Sequence, residues 1–264
     1  MGGRLILVKE VLQNIPMYWS TLAKLPSFIK QRIRHIISNF LWRGAKNLYG
    51  FHLAIWSHIA KLKHMGGWGI RDLDLFNKSL AAKSLWRALF HQGLWSLVMK
   101  RKYLKGLDVV FAWIRKENMV YSKASIVWRN LLSALPMIKH WVACKVGFGQ
   151  RILLGLDPFV GRGSFYKLSN EMVNFLHSKG LFTLAHIKKE ETATPWITTQ
   201  DLNLSGRFAD EWNRFINGIN SNVITLSSNP DLLVWTWNKE DGVVKVKEAY
   251  DALVFQKVED ETKW

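Results

Sequence analysis

Ser27-Phe28-Ile29-Lys30-Gln31-Arg32-Ile33-Arg34-His35-Ile36-Ile37-Ser38-Asn39-Phe40-Leu41-Trp42 is the stretch whose reading decides the fold class. At about 100° per residue, Ile29, Ile33, Ile36, Ile37, Phe40 and Leu41 fall within one broad arc. A strand would alternate every second residue, so this is an amphipathic helix. Lys30 and Arg34 flank the arc on one side and Arg32 on the other, which gives the helix a basic rim. Pro26 precedes it, and Gly44 follows closely enough to act in its C-terminal stop. Phe40 reads as core, whereas Trp42, off the arc, reads as the aromatic left at the surface.

The same periodicity extends in both directions. Upstream, Leu5, Val8, Val11, Leu12 and Ile15 recur at three- and four-residue spacing, and Pro16 closes that helix. Downstream, Leu75, Ala82, Leu85, Trp86 and Leu89 share a face of a helix over 75–90, with Lys83 and Arg87 turned away and Asp72 or Asp74 as its cap. Two more helices are expected over 94–104, which includes Trp95 as a core residue, and over 125–138. Near Trp141 the pattern changes. Val142, Lys145-Val146, Gly147-Phe148-Gly149 and Ile152 to Leu154 predict a small β-hairpin near 142–155. Residues 161–228 mix weak helical signals, at 171–177 and 208–219, with loops. Residues 234–237 and 243–247 are β-prone, and a further helix begins at Glu248. The expected architecture is mainly α with small β elements: a basic helical region over 1–106, a connector over 107–160, and a mixed α/β region over 161–264.

Charge is the second informative feature, because the chain has 37 Lys and Arg against 20 Asp and Glu, a net +17. Residues 1–106 hold 18 basic and 3 acidic residues, giving +15. Residues 107–160 hold 7 and 3, giving +4, and residues 161–264 hold 12 and 14, giving −2. A field polarised in this way attracts polyanions by counterion release, which makes RNA or DNA the leading partner. With 48% apolar residues and 14 Trp the chain can build a core. No apolar run approaches the roughly 20 residues of a membrane span, and the residues after Met1 make no secretory signal. The expected setting is soluble and intracellular, nuclear or cytoplasmic. A single Cys144 closes no intrachain disulfide and builds no zinc cage.

Catalytic patterns do not emerge. Two-metal chemistry needs converging carboxylates about 4 Å apart around the ions. The first 160 residues hold six acids, of which Asp72 and Asp74 are the close pair, and these read as helix caps. Tyr-x-Asp-Asp does not occur. His52, His58 and His64 are six apart, a spacing that fits no metal-ligand set. Gly147-x-Gly149 is too short for a dinucleotide fingerprint and reads as a turn. No cofactor is implied, and the chain as it stands is read as a non-enzyme. Basic residues interleaved with aromatics do stand out, since cations neutralise phosphates while aromatic faces stack on bases. The candidate nucleic-acid contacts are Lys30, Arg32, Arg34, Trp42, Arg43, Lys46, Lys61, Lys63, Arg71, Lys100, Arg101 and Lys102.

The order of motifs adds a family resemblance. Gly3-Arg4-Leu5-Ile6-Leu7-Val8-Lys9-Glu10-Val11-Leu12, then Ile15-Pro16-Met17-Tyr18-Trp19, resembles the stretch that follows the palm in plant LINE (non-LTR retrotransposon) reverse transcriptases. Phe40-Leu41-Trp42-Arg43-Gly44 is similar to that family's FLW-x-G, and Trp56 falls where the family has Trp. Gly66 to Leu73 with Phe76-Asn77-Lys78 is similar to its GGLGIRDL-x-x-FN, and Leu80 to Trp86 to its LLAKWLWR. Ser125 to Leu131, then Val146-Gly147-Phe148-Gly149, and finally Asp231, Trp235, Trp237, Gly242 and Val243 to Tyr250 follow in the family's order. Ile152 to Phe159 departs from the pattern by lacking two tryptophans. The resemblance implies a thumb and connector region reaching the start of a zinc-binding domain. It implies RNA-directed DNA synthesis in a full-length parent, with a template-primer duplex or single strand as partner and binding rather than catalysis for these residues. It also implies truncation at both ends, with Ala249, Leu253 and Val254 uncovered and a poorly ordered end after Tyr250. Two alternatives stand beside it: a domesticated protein-interaction or scaffold module, and a peripheral membrane protein using its basic amphipathic helices.

Overall fold

The computed structural model describes residues 2–42, 54–104, 110–115, 124–159, 165–189 and 195–262. The chain divides into two compact units, one of Met1–Lys139 with Val244–Trp264 and one of His140–Val243. Helices dominate, as the periodicity predicts, and the described sheet has two strands.

In the first unit, α1 (Gly2–Leu7) passes into a π-helical turn (Val8–Leu12) that buries Val8 completely. Pro16 does not simply end that segment. It occupies the first turn of α2 (Ile15–Leu22), where its missing N–H leaves no bond unmade. Next come α3 (Ser27–Trp42), the short α4 (Trp56–Ile59) and α5 (Leu73–Phe90). They are followed by α6 (Leu94–Met99), which runs into a second π-helical turn at Lys100–Leu104, and by α7 (Val110–Arg115). The helix expected over 125–138 is two helices, α8 (Ile126–Leu132) and α9 (Leu135–Trp141). Pro136 explains the break, because it is tolerated in a first turn and not in a helix interior.

The 18-residue α5 is the centre of this unit, with α2, α6, α8 and α12 (Val246–Thr262) packed on it. Leu73, Phe76, Ala81, Ala82, Leu85, Trp86, Ala88 and Leu89 are all buried, so the helix is apolar nearly all round, as a helix surrounded by others must be. The alanines let neighbours approach. Asn77 donates to the Ser20 carbonyl at 2.7 Å and ties α2 to it. A second cluster joins Val8, Ile37, Leu41, Ile59 and Ile70, with Trp42, Trp56 and Trp68 packed at its margin.

The orientation of α3 differs from the arc drawn on its sequence. Ile37 and Leu41 are buried, Ile36 is 48% exposed, and Lys30 is buried. The cause lies at the start of α5. Asp72 caps that helix by accepting the Asp74 amide at 2.8 Å, while Asp74 binds the Lys30 ammonium and accepts from Arg34 Nη2 at 2.7 Å. Arg34 also reaches Asp72 at 3.4 Å. Two of the three cations of the expected basic rim are therefore turned to meet two carboxylates about forty residues away in sequence.

The last helix corrects the expectation that Ala249 and Leu253 lie uncovered. Ala249, Tyr250, Ala252 and Leu253 are buried as α12 packs on α5, Tyr250 Oη accepts the Asp72 amide at 2.9 Å, and its ring lies 6.3 Å from that of Phe76. The apolar face of α12 is covered within its own unit.

The second unit holds β1 (Val142–Lys145) antiparallel to β2 (Leu232–Trp235), with Val142 opposite Trp235 and Lys145 opposite Leu232. The expected hairpin near 142–155 is thus replaced by a long-range pairing, and Leu153 bridges Thr183 instead. Buried Asp231 accounts for the exchange. Its carboxylate accepts the amides of Gly147 at 2.7 Å, Gly149 at 2.8 Å and Arg151 at 3.0 Å, which brings the segment before β2 against the glycine turn. A Cβ at residue 147 would lie 2.1 Å from the Asn229 carbonyl oxygen, and Gly149 has φ +77°, so both positions need glycine. Residues 243–247 form no strand; α12 starts there. Ser169 caps α10 (Asn170–Ser178), and Glu211 of α11 (Gly206–Ser221) accepts its hydroxyl at 2.9 Å. Trp212, Phe215 and Ile219 form the buried stripe of α11.

Two outcomes follow from these anchors. Burial alone would raise the Asp74 carboxyl, but the Lys30 ammonium and the Arg34 guanidinium outweigh it and hold it below its ordinary value of 3.8. A depressed carboxyl contributes stability that is full above the unfolded value and is lost as pH falls through the lower folded one. Asp74→Asn is expected to cost about 1–2 kcal/mol at neutral pH, a figure discounted for its partial exposure, and to flatten the loss of stability below about pH 4. Urea unfolding from pH 3 to 7 measures both. Asp231→Ala leaves three amides without their acceptor and is expected to cost about 3 kcal/mol or more, with Asp231→Asn milder; hydrogen exchange of residues 147–151 reports the loss.

Candidate nucleic-acid interface

The expected contact residues separate into three groups. Lys30 and Arg34 are committed to Asp74 and Asp72, so they hold α3 on α5 instead of facing solvent. Lys100 is buried on the π-helical turn, and desolvation lowers its pKa. Neither lysine is placed to meet a phosphate. Trp42, expected at the surface, is half-buried and packs on Trp68, with ring centroids 5.3 Å apart and its Nε1 buried. Arg43 and Lys46 lie outside the described residues.

The rest are exposed: Arg32, Lys61, Lys63, Arg71, Arg101 and Lys102. Among the described residues none of these six has a carboxylate partner. Arg71 lies over the Phe76 ring, 5.2 Å from its centroid, and Lys102 over the Tyr103 ring at 5.3 Å. Each charged group lies over an aromatic face while the residue stays exposed, which reduces the ordering cost of an anion contact. Tyr103 itself is stacked on fully buried Trp128 at 4.4 Å, so Lys102 rests on a rigid base. On α6, Leu94 is 80% exposed, Trp95 42% and Val98 52%, which corrects the reading of Trp95 as core. An exposed indole thus precedes Arg101 and Lys102 on the same short helical segment.

Sequence reading missed Lys9. Its position on the π-helical turn after α1 suggested nothing, yet it lines a cleft of about 450 Å³ with Leu5, Lys63, Gly67 and Trp68. Burial first and then the Lys63 charge lower its pKa, with Glu10 opposing. The density of glycines in Gly66-Gly67-Trp68-Gly69 was the available signal, since close backbone approach leaves such a trace. A second cleft, in the other unit, of about 580 Å³, is bordered by Lys167, Arg207 and Arg214 but also by Asp210 and Glu211, so its charge is mixed. Among the described residues no group of three or more His, Cys, Asp or Glu could hold a metal ion, and no helix is long and apolar enough to cross a membrane.

Comparisons with known proteins give two similar plant sequences. The chain is 27% identical over 269 residues to an Arabidopsis thaliana protein named "Putative ribonuclease H protein", a match that takes in 97% of this chain and 40% of that one. It is 24% identical over 149 residues to an "Uncharacterized mitochondrial protein" of Arabidopsis thaliana, covering 55% of this chain and 92% of the relative. The chain therefore spans less than half the length of the first of them. No family model matches it, and no solved structure does.

Proposed function

We propose that the chain is a nucleic-acid-binding region of a plant LINE-type reverse transcriptase, lying after the palm and contributing grip on a template-primer rather than chemistry. The observation that carries the reading is the set of exposed cations in the first unit that have no carboxylate partner among the described residues. The excess charge of residues 1–106 is thus partly free to meet phosphates. Two further points support it. The similarity runs along almost the whole chain to a relative whose name assigns it to ribonuclease chemistry. The ordered motifs from Gly3 to Tyr250 resemble one family throughout. Binding without catalysis agrees with how the close acid pair is used, as Asp72 is spent on capping α5 and Asp74 on Lys30 and Arg34. The setting we assign is the nucleus or cytoplasm.

A protein-interaction module is the second reading, and one observation favours it. Ile6, Leu7, Val11, Ile15, Tyr18 and Trp19, on α1, the turn after it and α2, are each between 48% and 71% exposed. That is more apolar surface on consecutive turns than a monomer ordinarily leaves in water.

Salt separates the two. Titration of a labelled RNA–DNA hairpin at several salt concentrations is expected to give a log-log slope of roughly −3 to −5. Arg101→Ala with Lys102→Ala is expected to make it shallower by about one to two units, for all sequences alike. Lys30→Ala is expected to lower stability and leave the slope unchanged. A salt-independent affinity would contradict the proposal and favour the protein-interaction reading. Primer extension on an RNA template with Mg²⁺ is expected to give no product from the purified chain, and extension that survives repurification would overturn the assignment of binding without chemistry.

A further inference from the structure

We propose that the cleft between α1 and the Gly67-Trp68-Gly69 turn is a subsite for one nucleotide of a single strand. Its phosphate would sit between the Lys9 and Lys63 ammonium groups and its base against the Trp68 indole. The inference rests on the nucleic-acid reading above and gives it an address.

Charge is the first argument. Lys9 and Lys63 border the same cleft with Leu5, Gly67 and Trp68, and among the described residues no carboxylate lines it. Lys9 is partly desolvated and feels the Lys63 charge, a repulsion that an anion placed between them would turn into attraction. Elsewhere in this unit Lys30 and Arg34 are paired directly with carboxylates, whereas at Lys9 only the neighbouring Glu10 charge offsets the repulsion from Lys63.

Backbone geometry is the second. The turn is fixed by Gly67 N donating to Leu62 O at 3.0 Å, Trp68 N to Ile59 O at 3.1 Å and Gly69 N to Lys61 O at 3.0 Å. A Cβ at residue 67 would lie 2.1 Å from the Lys61 carbonyl oxygen. Gly69 has φ +68°, and a Cβ there would lie 3.2 Å from Lys63 Cγ and 3.6 Å from Lys9 Nζ. Glycine at these positions therefore lets the backbone close and leaves room for both lysine stems beside Trp68.

The aromatic wall is the third. Trp68 is half-buried and braced by Trp42 at the margin of the core formed by Val8, Ile37, Leu41, Ile59 and Ile70. An indole held in this way stacks on a base without first losing rotamer freedom. Duplex bases are already stacked on one another, so the wall suits a single strand. The volume of about 450 Å³ falls within the usual range of small-ligand sites.

The test uses the full chain and fluorescein-labelled dT12, with a labelled abasic 12-mer of equal charge, at several salt concentrations. Wild type is expected to bind dT12 roughly five- to a hundredfold more tightly than the abasic strand, and Trp68→Leu to erase most of that preference. Trp68→Phe, which keeps a ring, is expected to retain part of it, so a folding defect in the leucine variant does not decide the matter. Lys9→Gln with Lys63→Gln is expected to weaken both strands alike, with the dT12 salt slope shallower by about 0.7 to 1.4. The charge-matched Lys83→Gln with Arg87→Gln, exposed on α5, is expected to do less. Equal binding of both strands by wild type would overturn the stacking wall. A Lys9/Lys63 variant that is folded by circular dichroism and binds like wild type would overturn the phosphate site. If wild type bound neither strand nor the RNA–DNA hairpin, the broader nucleic-acid reading would fall as well.

Discussion

Two carboxylates at the start of α5 organise the first unit. Asp72 caps the helix, its amide is bound by Tyr250 of α12, and its side chain is approached by Arg34 of α3 and Lys257 of α12. Asp74 takes Lys30 and Arg34. Three helices far apart in sequence thus meet at one turn of backbone. Unpaired, a buried Lys30 would carry a desolvation penalty of several kcal/mol, so the pairing also fixes which face of α3 turns inward. The apolar packing of α5 supplies stability, and the ion cluster selects the arrangement in which that packing occurs.

This arrangement sorts the positive charge into two uses. Some cations are consumed in holding helices together, and Lys100 is buried. Lys61, Lys63, Arg71, Arg101 and Lys102 stand exposed and without acids among the described residues. Arg71 and Lys102 are additionally braced on aromatic rings. A basic sequence does not by itself distinguish structural from available charge; burial and pairing do. Asp231 plays a comparable organising part in the second unit, where one carboxylate stands in for the hairpin partner that the glycine turn lacks.

How much was legible beforehand follows from the range of the interactions. Helices such as 27–42 and 73–90 are local, governed by periodicity and caps, and their existence could be read directly. The rotation of α3, the partner of β1 and the burial of α12 depend on Asp72, Asp74 and Asp231, residues that meet segments tens of positions away, and no periodicity encodes them. Trp42 and Trp95 exchanged roles for the same reason. The helical arc of α3 placed Trp42 off the core, but Trp68 arrives from another segment to cover it, whereas Trp95 lies on the open side of a short helix. Of the candidate interface, the exposed basic positions after residue 60 were visible as charge beside aromatics. Lys9 was not, because only the folded glycine turn brings Lys63 to it.

The central claim is that strand binding uses the exposed cations of the first unit and not those that hold it together. Lysine acetylation followed by mass spectrometry, with and without saturating single-stranded oligonucleotide, measures this most directly. The expected result is protection of Lys9, Lys61, Lys63 and Lys102, with Lys30 slow to react in both states. Protection confined to lysines of the second unit, such as Lys167 and Lys179, or no protection at all under saturating conditions, would contradict it.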